Sequence, residues 1–582
     1  MQPPFQNLGA RDAWLFSGLV WTIVATIRLV SAWPDMTATL YADPDATLRL
    51  VQARDWMAGR PLDDFLQPRL NPPDGVAMHW ARWPDAVLGG AIIALQPLLG
   101  AQAETAVLGL APTVLFFLYG LAGLALARAL SPTLSPFAAA VFLLGAVVAT
   151  ETLEPAKIDH HGLQVVFALS ILASVVHATR TRTLWCAVLG GALAGISLGV
   201  GLEGLNIVLA VLGGLGLGWV LRLSGAGPVG LAFSGGMAAI TAAIFAARYD
   251  AIAGYRAACD AVSWVYLSAG VASVGVFAAL SALDHRMADR RVRAMSGALI
   301  AGIAGAGLLA AFPHCAGGPY SEIPDVLKTL WLSDITEAKP LWATPNRLTL
   351  IVSGLGPALV VGLAAGAVLV SRNKAVDRAS WGVCLAALGI ASLVMIGQIR
   401  GVVLTAALSA ALGAAVFAQT AGLSVWRRVG VGLACCGFPY AALAAALPAQ
   451  RDAEAAQEER EARSCPPEAY AAFAKLTPGT ALAHPNAAPR LLAETPHGVV
   501  GGHYHRNVEG LIRTYALFQN PHDANALGGI DYVVVCTPDA WWSFTEDHPN
   551  GFAVQLVKGE PLVGLTPVVE VEDFTVWRVG SP

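Results

Sequence analysis

Apolar runs of about twenty residues recur from 13–33 to 429–448, and that is the length an α-helix needs to cross a hydrocarbon core. Inside lipid every backbone N–H and C=O must find its partner within the segment, so each run is an expected helix. The runs lie at 13–33, 104–127, 135–152, 162–178, 184–200, 204–221, 228–247, 261–283, 295–312, 348–370, 380–398, 401–420 and 429–448. They amount to about thirteen spans by length and hydropathy. Charge content agrees: 13% of the 582 residues are charged, against about 25% in a soluble domain. Mean hydropathy is +0.58. The expected fold class is mostly α, a polytopic membrane protein. The first run starts after Arg11 and lacks a small-residue cleavage site, so it reads as a retained span. The stretch 86–100 is short and broken by Pro97, and reads as interfacial or re-entrant. A net charge of -4 gives no reason to expect a nucleic-acid partner.

Orientation follows from where the cations fall. Arg180 and Arg182, Arg222, Arg286 with Arg290, Arg291 and Arg293, Arg372 with Lys374 and Arg378, and Arg427 with Arg428 occupy alternate loops. Those loops are expected in the cytoplasm. The complementary loops hold Asp43, Asp159 and Glu337, which are then external, or periplasmic in a bacterial inner membrane.

Composition changes near residue 448. The stretch 450–463 is charged and helix-prone, a linker, and short β-rich runs at 481–483, 498–501, 532–536 and 574–579 alternate with helical stretches such as 507–519. That alternation predicts a small α/β domain. The expected division is 1–448 in the membrane and 449–582 outside it. Cysteines show no metal-binding spacing. Cys186, Cys259, Cys384, Cys435 and Cys436 lie in or beside apolar runs and read as small core hydrophobes. Cys315, Cys465 and Cys536 lie outside them, where a Cys465–Cys536 disulfide is open to the chain.

Three acidic clusters stand out: Asp43-Pro44-Asp45, Asp159-His160-His161 and Asp334-Ile335-Thr336-Glu337. Each borders an apolar run, and the charge pattern puts all three on one face. Each also has a plain structural reading. Asp45 and Asp159 suit helix ends, and Glu337 sits in a long loop. Taken together, ionisable groups at a lipid boundary point to function. Carboxylates with imidazoles suit Mn²⁺ or another first-row cation; carboxylates alone lean to Mg²⁺. Arg400 interrupts an apolar stretch at an external end, where a guanidinium can clamp a phosphate or pyrophosphate. Glu203 reads as a structural turn residue.

The order of these motifs resembles the catalytic subunit of oligosaccharyltransferase, of the GT-C class of polyprenol-dependent glycosyltransferases. Asp43-Pro44 with Arg49 resembles its first acidic motif, and the segment from Pro68 to Gly75 resembles the loop that follows. Asp159-His160-His161 is similar to the second acidic motif of the archaeal form. Glu337 is similar to the external-loop glutamate, and Gln398-Ile399-Arg400 to the segment bearing the pyrophosphate-binding arginine. The resemblance covers roughly 1–450. It implies a divalent cation held by Asp43, Asp159, His161 and Glu337, with Asp43 and Glu337 catalytic and Arg400 on the donor phosphate. Asp45, His160, His505 and Arg506 are candidate donor or acceptor contacts. The implied partners are a lipid-linked polyprenyl sugar donor and an acceptor protein, lipid or polysaccharide. Members that glycosylate asparagine carry a WWDYG signature, absent here; Trp541-Trp542 continues with Ser543-Phe544. A second reading therefore transfers one sugar from polyprenyl phosphate to a lipid or polysaccharide. A transporter is the reading from another class, but it would show midplane charges and inverted repeats.

Overall fold

The computed structural model describes residues 10–223, 225–247, 257–333, 335–373, 376–447, 465–537, 541–545 and 548–580. The 450–463 linker and Asp334 lie outside the described residues. Among the described residues, ten helices are long and apolar enough to cross a membrane, and an eleventh span forms if the pair Val425–Cys435 and Gly437–Ala445, bent by 55°, is taken together. The expectation of about thirteen is corrected by two runs. Leu184–Val200 is a shorter apolar helix of 17 residues. The run at 135–152 is broken into Pro136–Leu144 and Val147–Glu151, because Gly145 packs against the backbone of Gly437 and Ala146 leaves helical geometry. The stretch 86–100 is helical too, within Trp83–Leu99, and joins Ala103–Leu130 through a 3₁₀ turn at Gly100–Gln102.

Small residues set how closely these helices approach, since lipid gives apolar surfaces no drive to associate. Gly191, Gly195 and Gly199 recur every fourth residue on one face of Leu184–Val200. A Cβ at Gly191 would meet the Phe233 carbonyl oxygen at 1.9 Å, one at Gly195 the Ile240 Cβ at 2.8 Å, and one at Gly199 the Ile244 side chain at 2.7 Å. All three contacts belong to the helix Ala226–Ala247. Gly191→Leu should therefore separate this pair and destabilise the protein by about 1–3 kcal/mol or more, as overpacking does. Gly213→Leu, which meets nothing within 4 Å, should not. Thermal unfolding of the two variants in detergent tests this, and equal midpoints would count against the seam.

Outside the spans, the loop 34–84 carries the helices Met36–Ala42 and Pro44–Met57 and a small hairpin, β1 (Leu66–Gln67) with β2 (Val76–Ala77). The C-terminal part forms a mixed sheet of β3 (Thr480–Ala483), β4 (Gly498–Val499), β5 (Tyr532–Cys536), β6 (Leu565–Val571) and β7 (Phe574–Val579). The order is β4-β3-β5-β7-β6, with β4, β3 and β5 parallel and the other two pairings antiparallel. All four expected strands are present, together with β6, whose partly exposed sequence gave no continuous apolar signal.

Both faces of this sheet are covered, and the external loops help cover them. On one face Tyr532, Val534 and Val576 share a core with Leu48, Val51, Leu70, Val76, Met78 and Trp80 of the first loop. On the other, Leu482, Val533 and Val535 pack with Ile323, Leu327 and Trp331. The hairpin also pairs with the sheet edge: Asn71 N–H donates to the Val499 carbonyl, and Val499 N–H to that of Arg69, each at 2.7 Å. Two disulfides brace these parts separately: Cys465–Cys536 lies within the C-terminal part, and Cys259–Cys315 joins two loops of the membrane part. The second corrects the reading of Cys259 as a core hydrophobe: it lies just before the span Trp264–Leu283, within reach of the loop that carries Cys315.

Candidate active site

Asp43 sits between two helices. It ends Met36–Ala42 and caps Pro44–Met57, its Oδ1 accepting from the N–H groups of Asp45 and Ala46 at 3.0 Å each. Pro44 at the first helical position suits this geometry, because its missing N–H would be unpaired there anyway. Asp159 plays the matching part for His161–Thr181, its Oδ1 accepting from the His161 N–H at 2.6 Å. The plain reading of Asp159 at a helix end holds, and that of Asp45 is corrected by two residues: the cap is Asp43, with Asp45 in the first turn.

The caps also face each other. The Asp43 and Asp159 carboxyls are close neighbours. Burial first, and the neighbouring Asp159 carboxyl second, push Asp43 up to about 7. Asp45 is pushed up to about 6 by burial, against the pull of His160 and His161, and it also feels the charge of Glu337. Ligand atoms of Asp45, His160 and His161 lie within 4.8 Å of one another. The structure thus brings five of the expected residues into one cluster at the end of the membrane helices.

Two further expected residues meet beside it. Arg400 opens the last turn before the buried helix Val402–Ala418, and its Nη2 donates to Glu337 Oε1 at 3.0 Å. A backbone bond from Ile399 N–H to the Lys339 carbonyl at 3.0 Å holds their segments together. The guanidinium also lies 5.6 Å from the centre of the Tyr320 ring. Glu337 is half exposed, held by Arg400 and turned to the rim of the cluster.

Glu203, read from sequence as a turn residue, belongs to the site. Its Oε1 meets His160 Nε2 at 3.1 Å. Gln164 fixes the turn by donating to the Ser197 and Gly201 carbonyls at 2.9 Å each. A Cβ at Gly201 would crowd the Glu203 carboxylate and the His160 ring. Gly201 two residues before a carboxylate at a span end was the one sequence signal.

A supporting network behind the helix Pro44–Met57 was also missed. Asp85 accepts from Arg49 at 2.8 Å and Arg82 at 2.7 Å, and all three are almost wholly buried. Trp80 donates to Gln52 at 2.6 Å and its ring lies 5.7 Å from His160 and 6.1 Å from Tyr504. Tyr504 of the C-terminal part donates to the Pro44 carbonyl at 2.8 Å, and burial raises its hydroxyl well above the ordinary range. His505 and Arg506 point elsewhere: both bind Asp260, His505 at 2.7 Å and Arg506 through two bonds of 2.7 Å. Trp541 is a core residue, donating to the Cys536 carbonyl at 2.8 Å.

The donor set suits a divalent cation. Among the described residues, His160 Nδ1 and Glu203 Oε2 are buried without a hydrogen-bond partner. The neighbouring Asp43 and Asp159 carboxyls also repel one another when ionised, a repulsion that a cation would relieve.

No protein-family model matches the chain, and no curated protein matches it. Among solved structures, it is similar to the oligosaccharyltransferase of Archaeoglobus fulgidus tethered to an acceptor peptide containing the NVT sequon. The TM-score is 0.64 at 14% identity, over 97% of this chain and 74% of that one. The oligosaccharyltransferase AglB of the same organism, in complex with an inhibitory peptide and a dolichol-phosphate, gives 0.61 at 14% identity, over 92% and 72%. The complex of that oligosaccharyltransferase with Zn and sulfate gives 0.56 at 15% identity, over 84% and 63%. The chain therefore has the fold expected from the resemblance, a polytopic helical body with a small sheet-containing C-terminal part.

Proposed function

We propose that the chain is a membrane glycosyltransferase that moves a glycan from a polyprenyl-(pyro)phosphate donor to an acceptor on the external face. The observation that carries this reading is the meeting of Asp43, Asp45, Asp159, His160 and His161 beside the Arg400–Glu337 pair. The fold shared with an enzyme solved with dolichol-phosphate and with an acceptor peptide supports it.

In the reaction the bond between the anomeric carbon and the phosphate oxygen breaks, and its electron pair leaves with the phosphate. The acceptor atom attacks from the opposite side, inverting the carbon. Asp43 orients the acceptor and takes its proton; Arg400 binds the departing phosphate. A divalent cation, Mn²⁺ or Mg²⁺, would be held by Asp43, Asp159, His161 and Glu337, with Asp45 and His160 beside them, and supplies charge stabilisation worth several kcal/mol of barrier. His505 and Arg506 line a cavity of about 470 Å³ between the first loop and the C-terminal part, and are proposed acceptor contacts.

The site faces the periplasm of a bacterial inner membrane in this reading. Both disulfides lie on the side of the site, and the four free cysteines are buried, the pattern expected where that side is oxidising. The division at 448–449 into a membrane catalytic domain and an external domain is proposed with it. The second reading, one sugar passed to a lipid or polysaccharide, is favoured by Trp541, which is buried in the sheet core and not presented to a peptide.

Asp43→Asn tests the proposal. Asparagine caps a helix as well as aspartate, so the fold should persist while transfer falls by about 10²–10⁴-fold, as for a lost general base. Transfer from a polyprenyl-linked sugar, measured on purified protein, reads it; full activity in the Asp43→Asn protein would overturn the mechanism. Mass analysis of glycans and lipid intermediates in a deletion strain separates the two acceptor readings.

A further inference from the structure

A second cluster of metal-ligating side chains lies outside the site above. His79 follows β2 in the first external loop. Asp260 follows the disulfide-bonded Cys259. His505 follows β4 in the C-terminal part. Ligand atoms of the three lie within 4.8 Å of one another. Their rings and carboxylate come from three segments separated by well over a hundred residues each, so only the folded chain assembles them.

We propose that His79, Asp260 and His505 form a binding site for one zinc-class divalent cation, distinct from the Asp43–Asp159 cluster. Two imidazoles and one carboxylate are a donor set that borderline first-row cations favour over Mg²⁺. Tetrahedral Zn²⁺ with bonds of about 2.0–2.1 Å places its ligand atoms about 3.4 Å apart. The spacings here bracket that value, since the His505–Asp260 contact is 2.7 Å and none of the three exceeds 4.8 Å. On binding, the His505 Nε2–Asp260 Oδ2 contact at 2.7 Å would give way to bonds from both groups to the ion.

The surroundings supply what a ligand carboxylate needs. Arg506 grips Asp260 through two bonds of 2.7 Å and donates to the Ala77 carbonyl at 3.2 Å, orienting the carboxylate toward His505. The neighbouring disulfide ties Asp260 to the loop of Tyr320, and Tyr320 packs on the His505 ring at 5.6 Å. The His79 and His505 rings are 4.3 Å apart. Asp260 and His505 also line the 470 Å³ cavity. With two of the three protein ligands at a cavity wall, a fourth position would be open to water or an oxygen ligand, the arrangement of reactive sites, not closed structural ones. The nearby cluster of Cys259, His314 and Cys315 is no rival, because its sulfurs are joined.

The test does not depend on glycosyl transfer. Full-length protein is purified in detergent, stripped with chelator and titrated with Zn²⁺ and with Co²⁺. His161→Gln removes the first cluster's contribution. In that background one further equivalent should bind, and Co²⁺ should show the intense visible bands of a four-coordinate site. Adding His79→Gln or His505→Gln should weaken that equivalent at least tenfold and remove the bands. Arg506→Lys, which touches Asp260 but supplies no ligand, should retain it. If the His79→Gln and His505→Gln proteins, with unchanged unfolding midpoints, still bind the equivalent, or if the His161→Gln protein binds none, the proposal fails.

Discussion

Arg400→Ala is expected to cut transfer by about 10²–10³-fold, the usual cost of removing one group that stabilises leaving charge, and to weaken binding of a polyprenyl phosphate. Arg400→Lys should recover only part of both, because a point charge cannot present a planar fork. Glu337→Gln should separate the two effects. Glu337 now occupies one arm of Arg400, at 3.0 Å. A donor phosphate and Glu337 compete for that arm, so a phosphate that takes it frees the carboxylate to turn toward the Asp43–Asp159 cluster. The pair is half exposed on the glutamate side, and such pairs contribute about 0–1 kcal/mol. Glu337→Gln should therefore tighten phosphate binding by at most about fivefold while abolishing transfer. If it weakens binding as much as Arg400→Ala does, the pair is a structural clasp and the exchange does not occur.

The second large effect is on stability. Asp85→Ala leaves Arg49 and Arg82 buried without their shared carboxylate; their side chains are 1% and 2% exposed. Breaking a buried ion pair from one side costs about 3–5 kcal/mol. The loss should appear as a lower unfolding midpoint in detergent. Activity should fall with it, since the network holds Trp80, which packs on His160 and Tyr504. A change within about 1 kcal/mol would mean that the two guanidinium groups find other acceptors, such as the Ala81, Gln52 and Asp64 carbonyls they already touch.

Much of the site was legible because its residues act locally as well as chemically. Asp43 and Asp159 cap helices next to spans, and a carboxylate at a span end is conspicuous in so apolar a chain. Arg400 stood out for the same reason. Glu203 did not, since its role depends on His160, a contact between two helices separated by 43 positions. Asp85 and Arg82 gave no signal, because their burial depends on contacts with Arg49 and Gln52, 30–36 residues away in the chain. Cys259 looked like a core residue, because its partner Cys315 lies 56 residues away.

Apolar length and alternation are properties of single segments, so the sequence by itself determined most of the spans, four of the five strands of the C-terminal sheet, and which acidic clusters fall at span ends. Only the tertiary structure decided that the first external loop and the Ile323–Trp331 segment cover opposite faces of the C-terminal sheet. That placement puts Tyr504 on the Pro44 carbonyl and brings His505 to Asp260 and His79. The physical reason is burial. The strand Tyr532–Cys536 is apolar on both faces, and each face demanded a cover that no neighbouring residue in the chain could supply.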